Sequence, residues 1–127
     1  LVLFDVAHNL ESLRCFLEYY DSLKIYGDSV LVIALQARKR IQPIIPRLQS
    51  VFQYIICTET NGRNPMAVET LMAHFVDSPN ADIIQNPENA IRSGLERLSP
   101  TGGMAIVGTH CLGPAVSAIF KLSFDRF

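Results

Sequence analysis

The sequence predicts a three-layer α/β domain with a mostly parallel sheet and helices on both faces. Short apolar runs of strand length alternate with segments whose apolar residues recur at helical spacing, in the order β-α-β-α-β-α-β-α-β-α. The connections have ordinary lengths, and no internal repeat, low-complexity tract or linker interrupts them. We therefore expect one domain that covers residues 1–127.

The first strand and helix come from the opening residues. Leu1–Phe4 is continuously apolar, as a strand buried on both faces would be. Asp5 is then expected at or near the carboxyl end of that strand. Apolar residues recur at helical spacing from Leu10, which predicts a helix that continues to about Lys24.

The middle of the chain repeats the pattern twice. Ser29–Leu35 predicts a second buried strand, and a helix follows it from near Pro43, because a proline is tolerated in the first turn of a helix. Tyr54–Cys57 predicts a third, short strand. Asn64 is then expected to cap a third helix that Pro65 opens.

The last part of the chain supplies two more strands. Asp82–Ile84 is a weak edge strand, and Asn86 with Pro87 repeats the cap-and-proline start of a helix. Met104–Val107 is the last clear strand, and the final helix is expected from about Pro114.

Composition narrows the class of protein. About half of the residues are apolar, and the net charge of −1 gives no general attraction to nucleic acid or to an anionic membrane. Cys15, Cys57 and Cys111 are odd in number and widely spaced, which favours a reducing cytoplasm over disulfides or a zinc site. No apolar run has the length of a membrane span, so we expect a soluble, cytoplasmic protein. The chain begins without Met inside a strand, which indicates a piece of something longer or a trimmed N-terminus.

Polar side chains are expected to gather at one edge of the sheet. The carboxyl ends of parallel strands share an edge, and ligands of open α/β sheets bind there. Cations and histidines at this edge suit a ligand that carries phosphate or carboxylate groups. The residues concerned are Asp5, His8 and Asn9, then Arg38-Lys39-Arg40, then Asn61 to Arg63, and finally Gly108-Thr109-His110.

Each of these features also has a purely structural interpretation. Asn9 is a good helix cap, Asp5 can close a turn through its side chain, and His8 can be an exposed loop residue. Arg38-Lys39-Arg40 can be a solvated turn, as can Arg63, and the glycine before Thr109 can serve the turn alone.

Other kinds of chemistry are disfavoured. His110 and Cys111 with His8 lack the spacing of a metal site, and nothing orients a base toward the thiol. The chain also lacks a Gly-x-x-x-x-Gly-Lys-[Ser/Thr] phosphate loop and a carboxylate pair placed to hold magnesium. It is therefore not expected to run ATP chemistry unaided.

Two motifs resemble a known family. Asp-Val-Ala-His-Asn at residues 5–9, after an apolar strand, resembles the opening of the C-terminal domain of folylpolyglutamate synthase/dihydrofolate synthase, in the Mur ligase superfamily. Residues 108–116 resemble that family's last strand-to-helix turn, with Thr109 where serine is usual. The sequence departs from the family at Leu10, where proline is usual, and at Arg38 and Arg40, which flank Lys39 where acidic residues are usual.

The resemblance implies a fold and an activity. It implies a Rossmann-like Mur ligase-type C-terminal domain of an ATP-dependent ligase that adds glutamate to folate or dihydropteroate through an acyl phosphate. ATP and Mg²⁺ would be its cofactors, and the phosphate loop and metal ligands would lie on a missing N-terminal ATPase domain of the same chain. A Mur peptidoglycan ligase and a free-standing, non-catalytic binding module are the alternatives.

The same resemblance implies roles for single residues. Asp5 would accept hydrogen bonds from the ribose hydroxyls of ATP, and Asn9 would brace the turn. His8 would be catalytic, close to the phosphates or the incoming glutamate. Thr109 would help to hold glutamate as a substrate-binding residue, together with His110 and Arg63, which falls where the family often has Pro-Arg before a helix.

Overall fold

The computed structural model describes residues 1–62 and 64–121, and within them the sheet is entirely parallel. Its five strands lie in the order β1-β5-β2-β3-β4, so the last strand in sequence is inserted between the first two. This agrees with the predicted α/β class. The strands are β1 (Val2–Asp5), β2 (Ser29–Ile33), β3 (Tyr54–Cys57), β4 (Ala81–Ile83) and β5 (Gly103–Val107).

Helices cover both faces of the sheet, as the sequence predicts. The helices are α1 (Leu10–Ser22), α2 (Ile45–Val51), α3 (Val68–Met72), α4 (Pro87–Arg97) and α5 (Gly113–Phe120). The apolar side chains of α1, α2 and α3 share one buried cluster with one face of the strands. Those of α4 and α5 form a second cluster on the opposite face. The two central strands, β2 and β5, are buried along their whole length, which explains their continuous apolar sequence.

The third helix begins later than the sequence predicts. Asn64 does not cap it, because this residue has a φ of 49° and its carbonyl accepts from the backbone N–H of Ala37. Pro65 forms an isolated antiparallel bridge with Gln36 instead of opening the helix. α3 starts at Val68, whose N–H is satisfied by the side chain of Glu59 at 2.9 Å. A contact distant in sequence therefore replaces the local cap.

The second helix and the fourth strand are close to prediction. Residues Gln42–Ile44 form a short 3₁₀ turn, and α2 follows from Ile45, so both prolines of this region lie near the start of a helical segment. β4 is a short, exposed edge strand, as expected. Within the described part of the chain, no helix combines the length and the apolar character that crossing a membrane requires.

Candidate functional site

The parallel register brings the strand ends into one row. Asp5 pairs with Val107, Val107 with Ile33, Ile33 with Cys57, and Cys57 with Ile83. Every segment that follows one of these residues therefore leaves from the same edge of the sheet. Among the residues that the structure describes, the polar residues predicted for this edge do lie at it.

Asp5 closes the turn after β1. Its Oδ1 accepts a hydrogen bond from the backbone N–H of Ala7 at 2.8 Å, which fixes the direction in which the chain leaves the strand. Within residues 1–62 and 64–121, Oδ2 has no hydrogen-bond partner. The carboxylate is half-buried, so one oxygen serves the turn and the other remains able to accept from a ligand.

Asn9 caps α1 and thereby positions His8. The Asn9 side chain accepts from the N–H of Ser12 at 2.8 Å, and the Ser12 hydroxyl accepts from the N–H of Asn9 at 3.1 Å, which is a complete capping box. The N–H of His8 also donates to that hydroxyl, at 3.0 Å. Asn9 therefore braces the turn that leads from β1 into α1.

The ring of His8 is held in one tautomer. Its Nδ1 lies 2.9 Å from the carbonyl oxygen of Val6, which can only accept, so Nδ1 carries the hydrogen in the neutral ring. Nε2 then presents a lone pair, and the side chain is exposed. This arrangement can take up a proton from a group that approaches the edge of the sheet.

The exit of β5 packs directly against the exit of β2. Gly108 has a φ of +118°, and a Cβ on it would overlap the carbonyl oxygen of Ala34, so this position requires glycine. Thr109 follows and is only 2% exposed. Its Oγ1 accepts from the N–H of Cys111 at 3.2 Å, which uses the hydroxyl as an acceptor and leaves its hydrogen to donate.

A cleft of about 470 Å³ opens beside this exit, above β3, β4 and β5. Its walls come from three segments: the loop after β3, the start of α4, and the turn that leads into α5. His110 lines it, as do Asn61 and Gly62 of the predicted edge residues, whereas Asp5, His8, Asn9 and Thr109 do not. The lining residues are Thr60, Asn61, Gly62, Asn86, Pro87, Glu88, His110, Cys111, Pro114 and Ala115.

The sequence interpretation missed the contribution of α4 to this cleft. Asn86 was recognised only as a helix cap, and its side chain does accept from the N–H of Asn89 at 3.0 Å. Glu88 follows in the first turn and lines the cleft as well. The available signal was a cap-and-proline start directly after a strand, since such a helix must begin at the carboxyl edge of a parallel sheet.

The remaining predicted residues lie apart from the cleft or outside the described residues. Arg38 and Arg40 are exposed and Lys39 is half-buried, on the loop that leaves β2. Arg63 lies outside the residues that the structure describes. His110 Nε2 lies 3.9 Å from Cys111 Sγ. Among the described residues, no group of three or more His, Cys, Asp or Glu side chains could hold a metal ion.

The cysteine at the end of β3 is a structural thiol. Cys57 is fully buried, and burial raises the pKa of its thiol from 9.0 to about 12. It therefore stays protonated and cannot act as a nucleophile near neutral pH.

This thiol predicts a pH dependence of stability. The unfolded chain ionises it near pH 9, whereas the folded chain keeps it neutral to about pH 12. The contribution of this thiol to the free energy of unfolding is thus complete below pH 9. It is lost between pH 9 and about pH 12, at about 1.4 kcal/mol per pH unit. Urea unfolding across this range should show a flatter pH slope for Cys57→Ala than for the wild type. The control Cys15→Ala removes an exposed thiol and should keep the wild-type slope; equal slopes for all three proteins would contradict the assignment.

A five-stranded parallel sheet, with helices on both faces and polar side chains at its carboxyl edge, is a Rossmann-like α/β domain, a class that binds ligands at that edge. Among known structures, this fold is that of part of folylpolyglutamate synthase. The bifunctional folylpolyglutamate synthase/dihydrofolate synthase of Yersinia pestis, complexed with AMPPNP and Mn ion, matches with a TM-score of 0.83, 21% identity and coverage of 95% of this chain and 28% of that chain.

Two further solved structures agree. Folylpolyglutamate synthase of Mycobacterium tuberculosis, complexed with ADP, matches with a TM-score of 0.85, 18% identity and coverage of 96% of this chain and 30% of that one. A bifunctional folylpolyglutamate synthase/dihydrofolate synthase with Mn, AMPPNP and L-glutamate bound matches with a TM-score of 0.83, 21% identity and coverage of 95% and 29%.

These matches confirm the predicted resemblance at the level of the fold. No family model matches the sequence, and no curated protein gives a significant match. The chain spans less than a third of the length of the solved structures that it resembles.

Proposed function

We propose that this chain is the C-terminal ATP- and glutamate-binding domain of an ATP-dependent ligase that adds glutamate to folate or dihydropteroate. The observation that carries the proposal is the match of about 95% of the chain to synthases solved with AMPPNP and L-glutamate. The turns after β1 and β5 support it, because they bring an acceptor carboxylate, a histidine and a buried hydroxyl to one edge. The rest of the ligase, including the phosphate loop and the Mg²⁺ ligands, would belong to a preceding ATPase domain. A cytoplasmic location fits three free thiols.

The proposed reaction has two steps. In the first, an oxygen of the folate or dihydropteroate carboxylate forms a bond to the γ-phosphorus of ATP, the bond from that phosphorus to the bridging oxygen breaks, and ADP leaves. In the second, the α-amine of glutamate attacks the carbon of the acyl phosphate, inorganic phosphate leaves, and the nitrogen gives up a proton. Phosphorylation makes the acyl carbon reactive, so the protein mainly positions the groups and stabilises charge.

In this scheme the turn after β1 does two jobs. Asp5 Oδ2 accepts hydrogen bonds from the ribose hydroxyls of ATP, while Oδ1 keeps the turn closed. His8 lies three residues further on, and the Nε2 lone pair of its fixed tautomer takes the proton that the glutamate amine releases. Asn9 holds both in place through the helix cap.

Glutamate would lie close to the exit of β5. The hydroxyl of Thr109 retains a hydrogen that can donate to a carboxylate of this substrate. His110 is exposed beside it and offers a second donor, and Arg63, from the loop after β3, would supply a positive charge. The three residues would orient the amine toward the acyl phosphate.

The nucleotide role of Asp5 is tested by Asp5→Asn. The asparagine keeps an oxygen that accepts from the N–H of Ala7, so the turn and the fold should persist. The other position becomes an NH₂ group, which cannot accept from ribose hydroxyls. In the complete ligase we expect the ATP concentration for half-maximal rate to rise about 10- to 100-fold, because hydrogen bonds to a charged group are lost.

The control for this experiment is Asp77→Asn, which neutralises an exposed carboxylate in the segment between α3 and β4. It should leave the ATP dependence at the wild-type value. Circular dichroism of both variants would establish that they fold alike. An unchanged ATP dependence in Asp5→Asn would refute the role of Asp5.

A further inference from the structure

The loops that leave β2 and β3 are joined into a short antiparallel ribbon. Gln36 and Pro65 form a bridge, the N–H of Ala37 donates to the carbonyl of Asn64 at 2.6 Å, and the N–H of Met66 donates to the carbonyl of Leu35 at 2.8 Å. We call residues 36–40 the basic ribbon; the bridge and the two hydrogen bonds hold it at its start, at residues 35–37. Because its base is fixed by backbone hydrogen bonds, the ribbon has a defined place at the carboxyl edge of the sheet.

The basic ribbon carries three cations in a row, Arg38, Lys39 and Arg40. Within residues 1–62 and 64–121, none of the three forms an ion pair or a side-chain hydrogen bond. Elsewhere in this part of the chain arginines do find carboxylates: Arg47 contacts Asp21 at 2.8 Å. The ribbon is therefore a concentration of uncompensated positive charge on a chain whose net charge is −1.

The presence of three cations in consecutive residues favours a ligand with several separate anionic groups. Arg38 has a φ of 70° and lies in a turn, so three positive charges are concentrated within one short segment. Guanidinium groups pair with carboxylates in a planar, two-point geometry. A chain of linked carboxylates can meet three such charges at once, whereas a single carboxylate meets one or two.

We propose that the basic ribbon binds the oligo-glutamate tail of the folate substrate, an acidic peptide that grows with each cycle of the reaction. This inference rests on the proposed function, because only a ligase that adds glutamate repeatedly makes such a tail. It assigns to Arg38, Lys39 and Arg40 a site for substrate length, distinct from the turns proposed to hold ATP and the incoming glutamate.

Binding to the 127-residue chain tests the proposal. Pteroylpentaglutamate and pteroylmonoglutamate are titrated separately while backbone amide chemical shifts are followed by NMR. We expect the longer ligand to bind about tenfold more tightly, since exposed ion pairs each contribute modestly and are screened by salt. The amide signals of residues 36–40 should move with the longer ligand. In the variant R38Q/K39Q/R40Q the preference should fall below about twofold.

The matched control is K24Q/R92Q/K121Q, which removes the same charge from exposed positions away from the ribbon. It should keep the preference for the longer ligand. Equal affinity of the wild-type chain for the two ligands would overturn the proposal, and so would an equal loss of preference in both triple variants.

Inorganic triphosphate separates carboxylate from phosphate recognition. If the binding of triphosphate depends on the three cations, and the binding of pteroylpentaglutamate does not depend on them, the ribbon is a phosphate site. The proposal is then overturned. Failure of the proposed function has a different signature, since the Asp5→Asn experiment measures nucleotide dependence and does not involve the ribbon. If the wild-type chain shows no preference for the longer ligand while Asp5→Asn still raises the ATP requirement of the complete ligase, the ribbon proposal alone is overturned.

Discussion

Replacing Gly108 by alanine is expected to reduce the free energy of unfolding by about 3 kcal/mol or more, a large share of the 5–15 kcal/mol typical of a domain. The residue has a φ of +118°, which an L side chain rarely adopts. The new Cβ would also overlap the carbonyl oxygen of Ala34, a backbone atom that cannot rotate away. Either β5 or β2 would have to move, and both lie at the centre of the sheet.

Gly94→Ala is the matched control for this experiment. Its Cβ would meet Sδ of Met104 at 2.8 Å, which is part of a flexible side chain, and alanine favours the helix in which Gly94 lies. We expect a change of about 1 kcal/mol or less. Urea denaturation followed by circular dichroism measures both variants. If Gly108→Ala were as stable as Gly94→Ala, the close approach of the β5 and β2 exits would not be as described.

Replacing His8 by glutamine is expected to reduce kcat of the complete ligase by about 100-fold or more, because a positioned general base contributes about 10²–10⁴ to the rate. Glutamine can still donate to the carbonyl of Val6, so the turn should be retained. It offers no atom that takes up a proton near neutral pH.

The control here is His74→Gln, at a histidine in the 3₁₀ turn after α3 that belongs to no part of the carboxyl edge. It should leave kcat unchanged. A His8→Gln enzyme with wild-type kcat would rule out a catalytic role for this residue and leave it as a part of the capped turn.

The sequence was a good guide where the determinants are local. Continuous apolar runs predicted β2 and β5, because a strand that is buried on both faces carries apolar side chains on both. A helix cap was the structural interpretation of Asn9, and the contact of Asn9 with Ser12 that confirms it lies within one helical turn. The polar residues near the ends of strands also reached one edge as expected, because parallel strands in register leave no other arrangement.

What the sequence did not reveal depends on contacts between distant segments. The start of α3 was misplaced because Glu59, nine residues earlier, satisfies the first N–H of the helix, while Pro65 pairs with Gln36. The cleft was missed for a similar reason. Its walls combine the loop after β3, the first turn of α4 and the turn before α5, and their proximity follows from the strand order rather than from any local pattern.

The position of β5 has a consequence for how the molecule assembles. Among the described residues β1 pairs only with β5, and the backbone nitrogen of Leu1 donates to the carbonyl of Gly102 across 101 positions of sequence. During synthesis, the first strand of this domain therefore stays unpaired until the last strand of the domain has emerged from the ribosome. Such long-range closure is entropically expensive and makes for slow folding, during which an apolar segment stays available to chaperones and to misassembly.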